Sequence, residues 1–417
     1  MPALLPDIAP LRSSREFRLL WTGQLISQIG SSLRLVALPY QVYVLTGSTL
    51  AVGLLGLFSA VPLIALSLWG GVIADRVDRR RMLLVTNTGL ALVSVVLAVA
   101  TQTNAATLAL LYLLTAVGAG IGALDQPARS ALAPSLVERR HIPAAMALGQ
   151  TQFQVATVVG PALAGVLIAR VGLAYAYWID VATFAAGIVA LLLMRTPRGD
   201  VTAVHARPMQ ALLEGMAFLW SRPLLLATMS VDFFATFFAV SRAVMPYFAE
   251  RVFAVGPEGL GLLYAAPGAG ATVVALTSGW TGGVSRKGLG ILVSVAIFGI
   301  AIAAFGFLPA SGFALGLLLL AIAQGADTVS AIFRHTILQL ETPDGLRGRL
   351  SAINLIFVAG GPQLGQVESG VVAELLTPEL SVITGGLACV GVVFVAHALV
   401  PQVARYRADL TYAATSA

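Results

Sequence analysis

Residues 71–81 read Gly71-Val72-Ile73-Ala74-Asp75-Arg76-Val77-Asp78-Arg79-Arg80-Arg81, six charges in eleven positions. The run before them, Leu50 to Ala74, carries no charge, and neither does Met82 to Ala100 after them. Each run is long enough to cross a bilayer as a helix, which takes about 20 apolar residues. The charged stretch is therefore expected to form a tight turn at the membrane surface. Its four arginines assign that surface to the cytoplasm. Together these features predict a polytopic membrane protein.

The composition of the 417-residue chain agrees. It is 58% hydrophobic and 11% charged, whereas a soluble domain carries about 25% charged residues. Mean hydropathy is +0.89. The net charge of +6 does not point to nucleic acid. Lys287 is the only lysine among 25 basic residues, and the arginines fall in short gaps between apolar runs without a basic-aromatic cluster. Cys389 is the single cysteine, so an internal disulfide and a cysteine-based metal site are excluded. His141, His205, His335 and His397 are scattered without ligand spacing. Neither a metal nor a cofactor is expected. The stretch Met1 to Glu16 lacks a signal-peptide core with a cleavage site, so the first apolar helix is expected to stay in the membrane.

Twelve apolar segments are legible, at roughly 17–45, 50–74, 82–101, 105–129, 144–169, 172–194, 223–249, 258–281, 288–308, 311–334, 349–373 and 380–400. They are too long for barrel strands, which run to about ten residues of alternating polarity. With the N-terminus inside, the outer gaps hold only Arg170 and Arg251, beside Glu250, Glu258, Glu374 and Glu379. Arg18, Arg129, Arg334 and Arg349 are expected at inner helix ends. An even count of twelve keeps this asymmetry, and both termini are expected in the cytoplasm. The longest polar gap divides the chain into an N-terminal six-helix bundle (1–194), a cytoplasmic linker (195–222) and a C-terminal six-helix bundle (223–417). Within the linker, Met209 to Trp220 either lies flat on the inner leaflet as an amphipathic helix or is a plain connection.

The halves repeat. Leu38-Pro39-Tyr40 recurs as Met245-Pro246-Tyr247, Gly160-Pro161 as Gly361-Pro362, and Asp125 as Asp327, at offsets of 207, 201 and 202. Residues 71–81 have a worn counterpart in Gly282-Gly283-Val284-Ser285-Arg286-Lys287. An all-α membrane protein of two pseudo-symmetric bundles follows, a plan in which transporters bind substrate near the midplane.

Gly71-x-x-x-Asp75-Arg76-x-x-Arg79-Arg80-Arg81 resembles the signature of the major facilitator superfamily between its second and third helices, with Asp78 where the family has Gly. Gly160-Pro161-x-x-Ala164-Gly165 resembles the antiporter motif of its fifth helix, with Ala for one Gly. That motif is typical of exporters. The arginine that many drug-proton antiporters carry in the fourth helix is missing. Gly261-Leu262-Leu263-Tyr264-Ala265-Ala266-Pro267 and Thr342-Pro343-Asp344 with Gly348-Arg349 are similar to the enterobactin-exporter-like branch, most clearly in the second half. The resemblance implies the major facilitator fold and a gate in which Asp75, with Arg76 and Arg79, locks the second helix to the eleventh. It also implies that Gly71, Gly160, Pro161 and Gly165 act through close packing.

An arginine inside a membrane helix costs at least about 2.5 kcal/mol unless it faces water or a partner. Arg34 is one, on a polar stripe with Ser27, Ser31 and Gln41, flanked by Gln24 and Gln28. Thr228, Asp232, Thr236 and Arg242 form a similar stripe in the seventh segment. Gln24, Gln28, Ser31, Arg34, Thr236, Arg242 and Gln324 are the candidates for contact with substrate. Arg34 and Arg242 would hold anionic or phenolic oxygens, pair with acids during the cycle, or form structural salt bridges. Asp232 and Asp327 are the candidates for carrying a proton, because desolvation and a movable arginine shift a carboxyl in opposite directions. Asp327 paired statically with Arg334 is the other reading. Asp125 is expected to pair with Arg129, Asp180 to hydrogen-bond structurally, and Glu368 either to act in the membrane or to lie in solvent.

The leading expectation is a proton-coupled exporter of an amphipathic small molecule, with a siderophore first and a drug-like compound second. It would work as a monomer in the inner membrane of a bacterium, its partners being substrate, protons and the lipid bilayer. An importer is disfavoured by the motif at Gly160. An intramembrane enzyme is disfavoured because no nucleophile-base or metal constellation is visible, and ATP drive because no Gly-rich phosphate loop with Lys occurs.

Overall fold

Side-chain caps set the helix ends. Ser14 opens the first long helix, its hydroxyl accepting the N–H of Phe17 at 3.1 Å, and Gly47 closes it in the left-handed region at φ 66°. Asp78, the departure from the family motif, opens the third by accepting the N–H of Arg81 at 2.8 Å. Thr107 opens the fourth by accepting the N–H of Leu110 at 3.3 Å.

The computed structural model describes residues 7–195, 208–239 and 242–408, apart from the side chains of 68–76, 208–212, 344, 352 and 355. The side chains of Asp75 and Arg76, and the surroundings of Gly71, thus lie outside the described part. No strand occurs among the described residues. They form twelve helices of 17 or more residues. In unit order below, these are α1 (Arg15–Thr46), α2 (Thr49–Arg76), α3 (Arg79–Gln102), α4 (Leu108–Ser135), α5 (Ile142–Val171) and α6 (Leu173–Leu193). Then come α7 (Pro223–Ala239), α8 (Gly256–Thr277), α9 (Lys287–Gly306), α10 (Phe313–Glu341), α11 (Arg347–Leu375) and α12 (Pro378–Leu399). A shorter helix, Pro208–Trp220, precedes α7. Ten of the helices, with adjoining turns, are long and apolar enough to cross a membrane. The other two, α1 and α11, are 32 and 29 residues long and more polar.

Two ends depart from expectation. The segment expected to stop at Arg334 continues to Glu341, because Ile337 and Leu338 are buried and extend the packed face. The segment expected over 223–249 is helical to Ala239, and from Arg242 to Val252 it is a series of tight 3-10, α and π turns.

The chain forms two compact units. Unit 1 holds Met1–Ser48, Leu57–Ala206 and Val255–Ala265, and unit 2 holds Thr49–Gly56, Arg207–Ala254 and Ala266–Ala417. Within unit 1, α1 packs along α6 and α5, and α3 along α6 and α4. Within unit 2, α7 packs along α12 and α11, and α9 along α12 and α10. The same pairing thus recurs with every helix advanced by six. Small residues permit the approaches. A Cβ on Gly30 of α1 would fall 2.8 Å from a carboxylate oxygen of Asp180 on α6, so glycine there lets the two backbones close and brings that acid beside α1.

Candidate functional site

In unit 1 the charged turn after α2 ties helix ends together. Arg79 donates from Nη1 to the carbonyl of Ala131 near the end of α4 at 3.0 Å. Arg80 donates from Nε to Leu191 at 2.7 Å and from Nη2 to Leu192 at 2.9 Å, at the end of α6. The last carbonyls of a helix have no partner within it and carry partial negative charge, so an arginine there stabilises both.

Deeper in unit 1, two arginines each face an acid. Arg34 of α1 donates to Ser94 Oγ of α3 at 3.1 Å and lies 3.6 Å from Asp180 Oδ2 of α6. Ser94 donates in turn to Asp180 at 2.6 Å. Asp180 therefore does accept hydrogen bonds, and it is also the counter-charge of Arg34. The Arg34 guanidinium sits 5.8 Å from the centre of the Phe184 ring. On α4, Arg129 grips Asp125 Oδ2 with Nε at 3.0 Å and Nη2 at 2.7 Å. Thr86 of α3 donates to Asp125 Oδ1 at 2.6 Å. The pair expected from the sequence is present, but it is buried inside the bundle instead of ending the helix.

Between these pairs lies a cavity of about 230 Å³, lined by Gln28, Ser31, Arg34, Gly122, Asp125, Arg129 and Phe184 among others. Three of the substrate candidates, Gln28, Ser31 and Arg34, therefore share one wall. Gln24 lines an adjoining smaller cleft with Ser27 and Arg129. Gln41 is elsewhere: it donates to Thr101 at 2.8 Å and accepts from Tyr177 at 2.8 Å.

Unit 2 is arranged differently. Arg334 of α10 pairs with Asp232 Oδ1 of α7 at 2.6 Å, and each side chain is only 5% exposed. The static partner of Arg334 is thus Asp232, not the Asp327 of its own helix. Asp327 accepts a hydrogen bond from the neutral amide of Gln324 at 2.8 Å and lies in the electrostatic field of Arg334. Thr236 is buried, its hydroxyl donating to the carbonyl of Asp232 at 2.8 Å. Arg242 is exposed at the start of a tight turn, an environment unlike that of Arg34. Glu368 is part-buried, with Oε2 unpartnered among the described residues.

The glycine motif of α5 acts through distance. A Cβ on Gly160 would fall 2.3 Å from the Cβ of Ser32 on α1. A Cβ on Gly165 would fall 2.6 Å from the carbonyl oxygen of Pro257, and one on Gly261 2.5 Å from that of Pro161. The start of α8 thus lies against α5 within unit 1, backbone to backbone.

Arg129 and Asp180 were not among the residues expected to contact solute or to carry a proton. The signal for Arg129 was present: an arginine one turn after an acid inside an apolar run. The signal for Asp180 was only its depth in an otherwise uncharged segment.

Long apolar helices in two similarly packed units, with ionisable side chains buried inside each, define a multi-pass membrane transporter. The chain belongs to the transmembrane secretion effector family of the major facilitator superfamily, whose model matches residues 6–411. It is 29% identical over 404 residues to the enterobactin exporter EntS of Citrobacter koseri, a match covering 97% of this chain and 96% of the relative. EntS of Shigella boydii is 28% identical over 383 residues, 92% of this chain and 91% of that one. A variant of the nucleoside transporter NupG superposes with a TM-score of 0.76 at 12% identity, over 93% of this chain and 100% of that one, which establishes the fold alone. As a member of a transporter family, the chain is not an enzyme.

Proposed function

We propose that this chain exports an amphipathic small molecule, a siderophore first, from the bacterial cytoplasm across the inner membrane. Protons moving inward drive the step by alternating access. Export is supported by the Gly160-Pro161 motif and by relatives that bear the name of an enterobactin exporter. The arginine bias supports cytoplasmic termini, and a monomer suffices for the mechanism.

One observation carries the proton coupling. The cluster of Asp232, Arg334 and Asp327 in unit 2 holds two acids and one base. Arg334 is committed to Asp232, so a second ionised carboxylate would stand in a low-dielectric site without a charged partner, at a cost of several kcal/mol. Asp327 therefore takes a proton in this state and releases it when Arg334 is brought nearer. Gln324 positions its carboxyl. Substrate meets Gln24, Gln28, Ser31 and Arg34 in unit 1.

Asp75, with Arg76, Arg79 and Gly71, forms the gate, and Gly160, Pro161 and Gly165 seal by close packing. Asp75→Asn is expected to abolish net transport while leaving membrane insertion normal, and normal turnover by that variant contradicts the gate. The whole reading is tested by enterobactin uptake into inside-out membrane vesicles. Acidifying the vesicle interior accelerates uptake if protons drive export. Equal rates with and without the gradient overturn the coupling.

A further inference from the structure

We propose that the unit 1 cavity is a binding site for an aromatic anion, with Arg34 and Arg129 as its two cationic contacts. This rests on the transport reading above and assigns the chemical class of the solute.

Several polar groups here remain unused, most of them donors and one, Gln28 Oε1, an acceptor. Arg34 employs only Nη1 toward Ser94 and Asp180 among the described residues. Arg129 commits Nε and Nη2 to Asp125, and its Nη1 is buried without a partner. Gln28 Oε1 on the same wall and Gln24 Nε2 in the adjoining cleft are also buried and unpartnered among the described residues. Buried polar groups are normally satisfied, and each one left over is costly. Here three converge on one part of unit 1 from α1 and α4.

A carboxylate or phenolate oxygen entering the cavity would accept from a guanidinium, forming a charge-assisted hydrogen bond. Asp125 and Asp180 pair with the two arginines, fixing their planes and offsetting their charge. A second anion is therefore received by aimed donors, not by bulk positive potential. Phe184 supplies a ring face beside Arg34, and Gly118 and Gly122 of α4 leave space opposite. A planar aromatic body of one or two rings fits a space of about 230 Å³. Arg129 lines the same cavity as Arg34 and is its second cation.

Isothermal titration of the full chain in lipid nanodiscs tests this with three shape-matched probes: 2-naphthoate, 2-naphthamide and 2-naphthylmethylammonium. The anion is expected to bind at least about tenfold more tightly than the amide, and the cation not at all. Arg129→Gln and Arg34→Gln are each expected to erase that preference. Because each leaves an acid unpaired, the charge-neutral doubles Arg129→Gln with Asp125→Asn and Arg34→Gln with Asp180→Asn are measured beside them. Gly122→Leu gives a variant with all charges retained: its Cβ position has no neighbour within 4 Å, so the side chain enters open space. It is expected to abolish binding of the anion. Absence of naphthoate binding, equal affinity for anion and amide, or full binding by Gly122→Leu overturns the proposal. Binding is read without turnover or a gradient, so failure here leaves proton-driven export standing, and failure of that reading leaves this result intact.

Discussion

The two units share a packing pattern and differ in how they hold charge. In α4 of unit 1 the acid and the arginine are four residues apart, Asp125 and Arg129, and they close on each other. In α10 of unit 2 the corresponding acid and arginine are seven apart, Asp327 and Arg334. Seven residues rise about 10.5 Å along a helix, so that arginine is free to be claimed by Asp232 of α7. Unit 1 ends with two acids and two arginines, balanced. The cluster around Arg334 in unit 2 holds two acids and one arginine, and so a surplus carboxyl. A three-residue change in spacing thus separates a unit whose helix α4 pairs its own acid and arginine from one whose arginine is claimed by a neighbouring helix.

The strongest way to break this comparison is to remove Arg334, the one arginine between the two acids Asp232 and Asp327. Arg334→Gln leaves Asp232 buried without its counter-charge and is expected to cost roughly 3–5 kcal/mol of stability, read as a large fall in the thermal midpoint with loss of transport. Adding Asp232→Asn should restore much of the midpoint. If the double variant is no more stable than the single, the pair is not the one that matters.

Next in size is Gly165→Val. Its Cβ would collide with the carbonyl of Pro257, so α8 is forced away from α5 and transport is expected to fall at least about tenfold. Near-normal vesicle transport would show that the close approach is dispensable.

A sharper contrast comes from neutralising single acids. Asp327→Asn should fold as well as the parent and still exchange substrate across the membrane at equilibrium, but lose acceleration by a pH gradient. Asp125→Asn should retain that acceleration and instead lose stability, about 3 kcal/mol, because Arg129 stays buried and unpaired. Reversal of these two outcomes would exchange the roles of the units.

The smallest expected effect lies at the start of α3. Asp78→Ala removes the cap on Arg81 and should cost about 1 kcal/mol, visible as a modest shift of the midpoint with transport preserved.

Much of this architecture was legible in the residues. Uncharged runs on either side of residues 71–81 gave α2 and α3 to within a few positions, because lipid excludes charge from such runs. The Asp125–Arg129 pair was legible because its partners are one helical turn apart. Pairing between helices was not. Arg334 looked like an inner helix end, yet it is buried against Asp232, because only packing of α7 on α10 decides which acid it meets. Asp78 looked like a blemish in a motif and is a cap. Arg34 and Arg242 looked equivalent by their distance from a Pro-Tyr pair, but Arg34 lies within α1 whereas Arg242 is exposed in a 3-10 turn.

The central claim is that the surplus carboxyl of unit 2 carries a proton, and infrared spectroscopy of the protein in lipid tests it most directly. A protonated buried carboxyl gives a C=O stretching band distinct from those of a carboxylate. That band is expected in the parent, in Asp125→Asn and in Asp180→Asn, and expected to vanish in Asp327→Asn. A band that survives Asp327→Asn unchanged, or one that disappears with Asp125→Asn, contradicts the account.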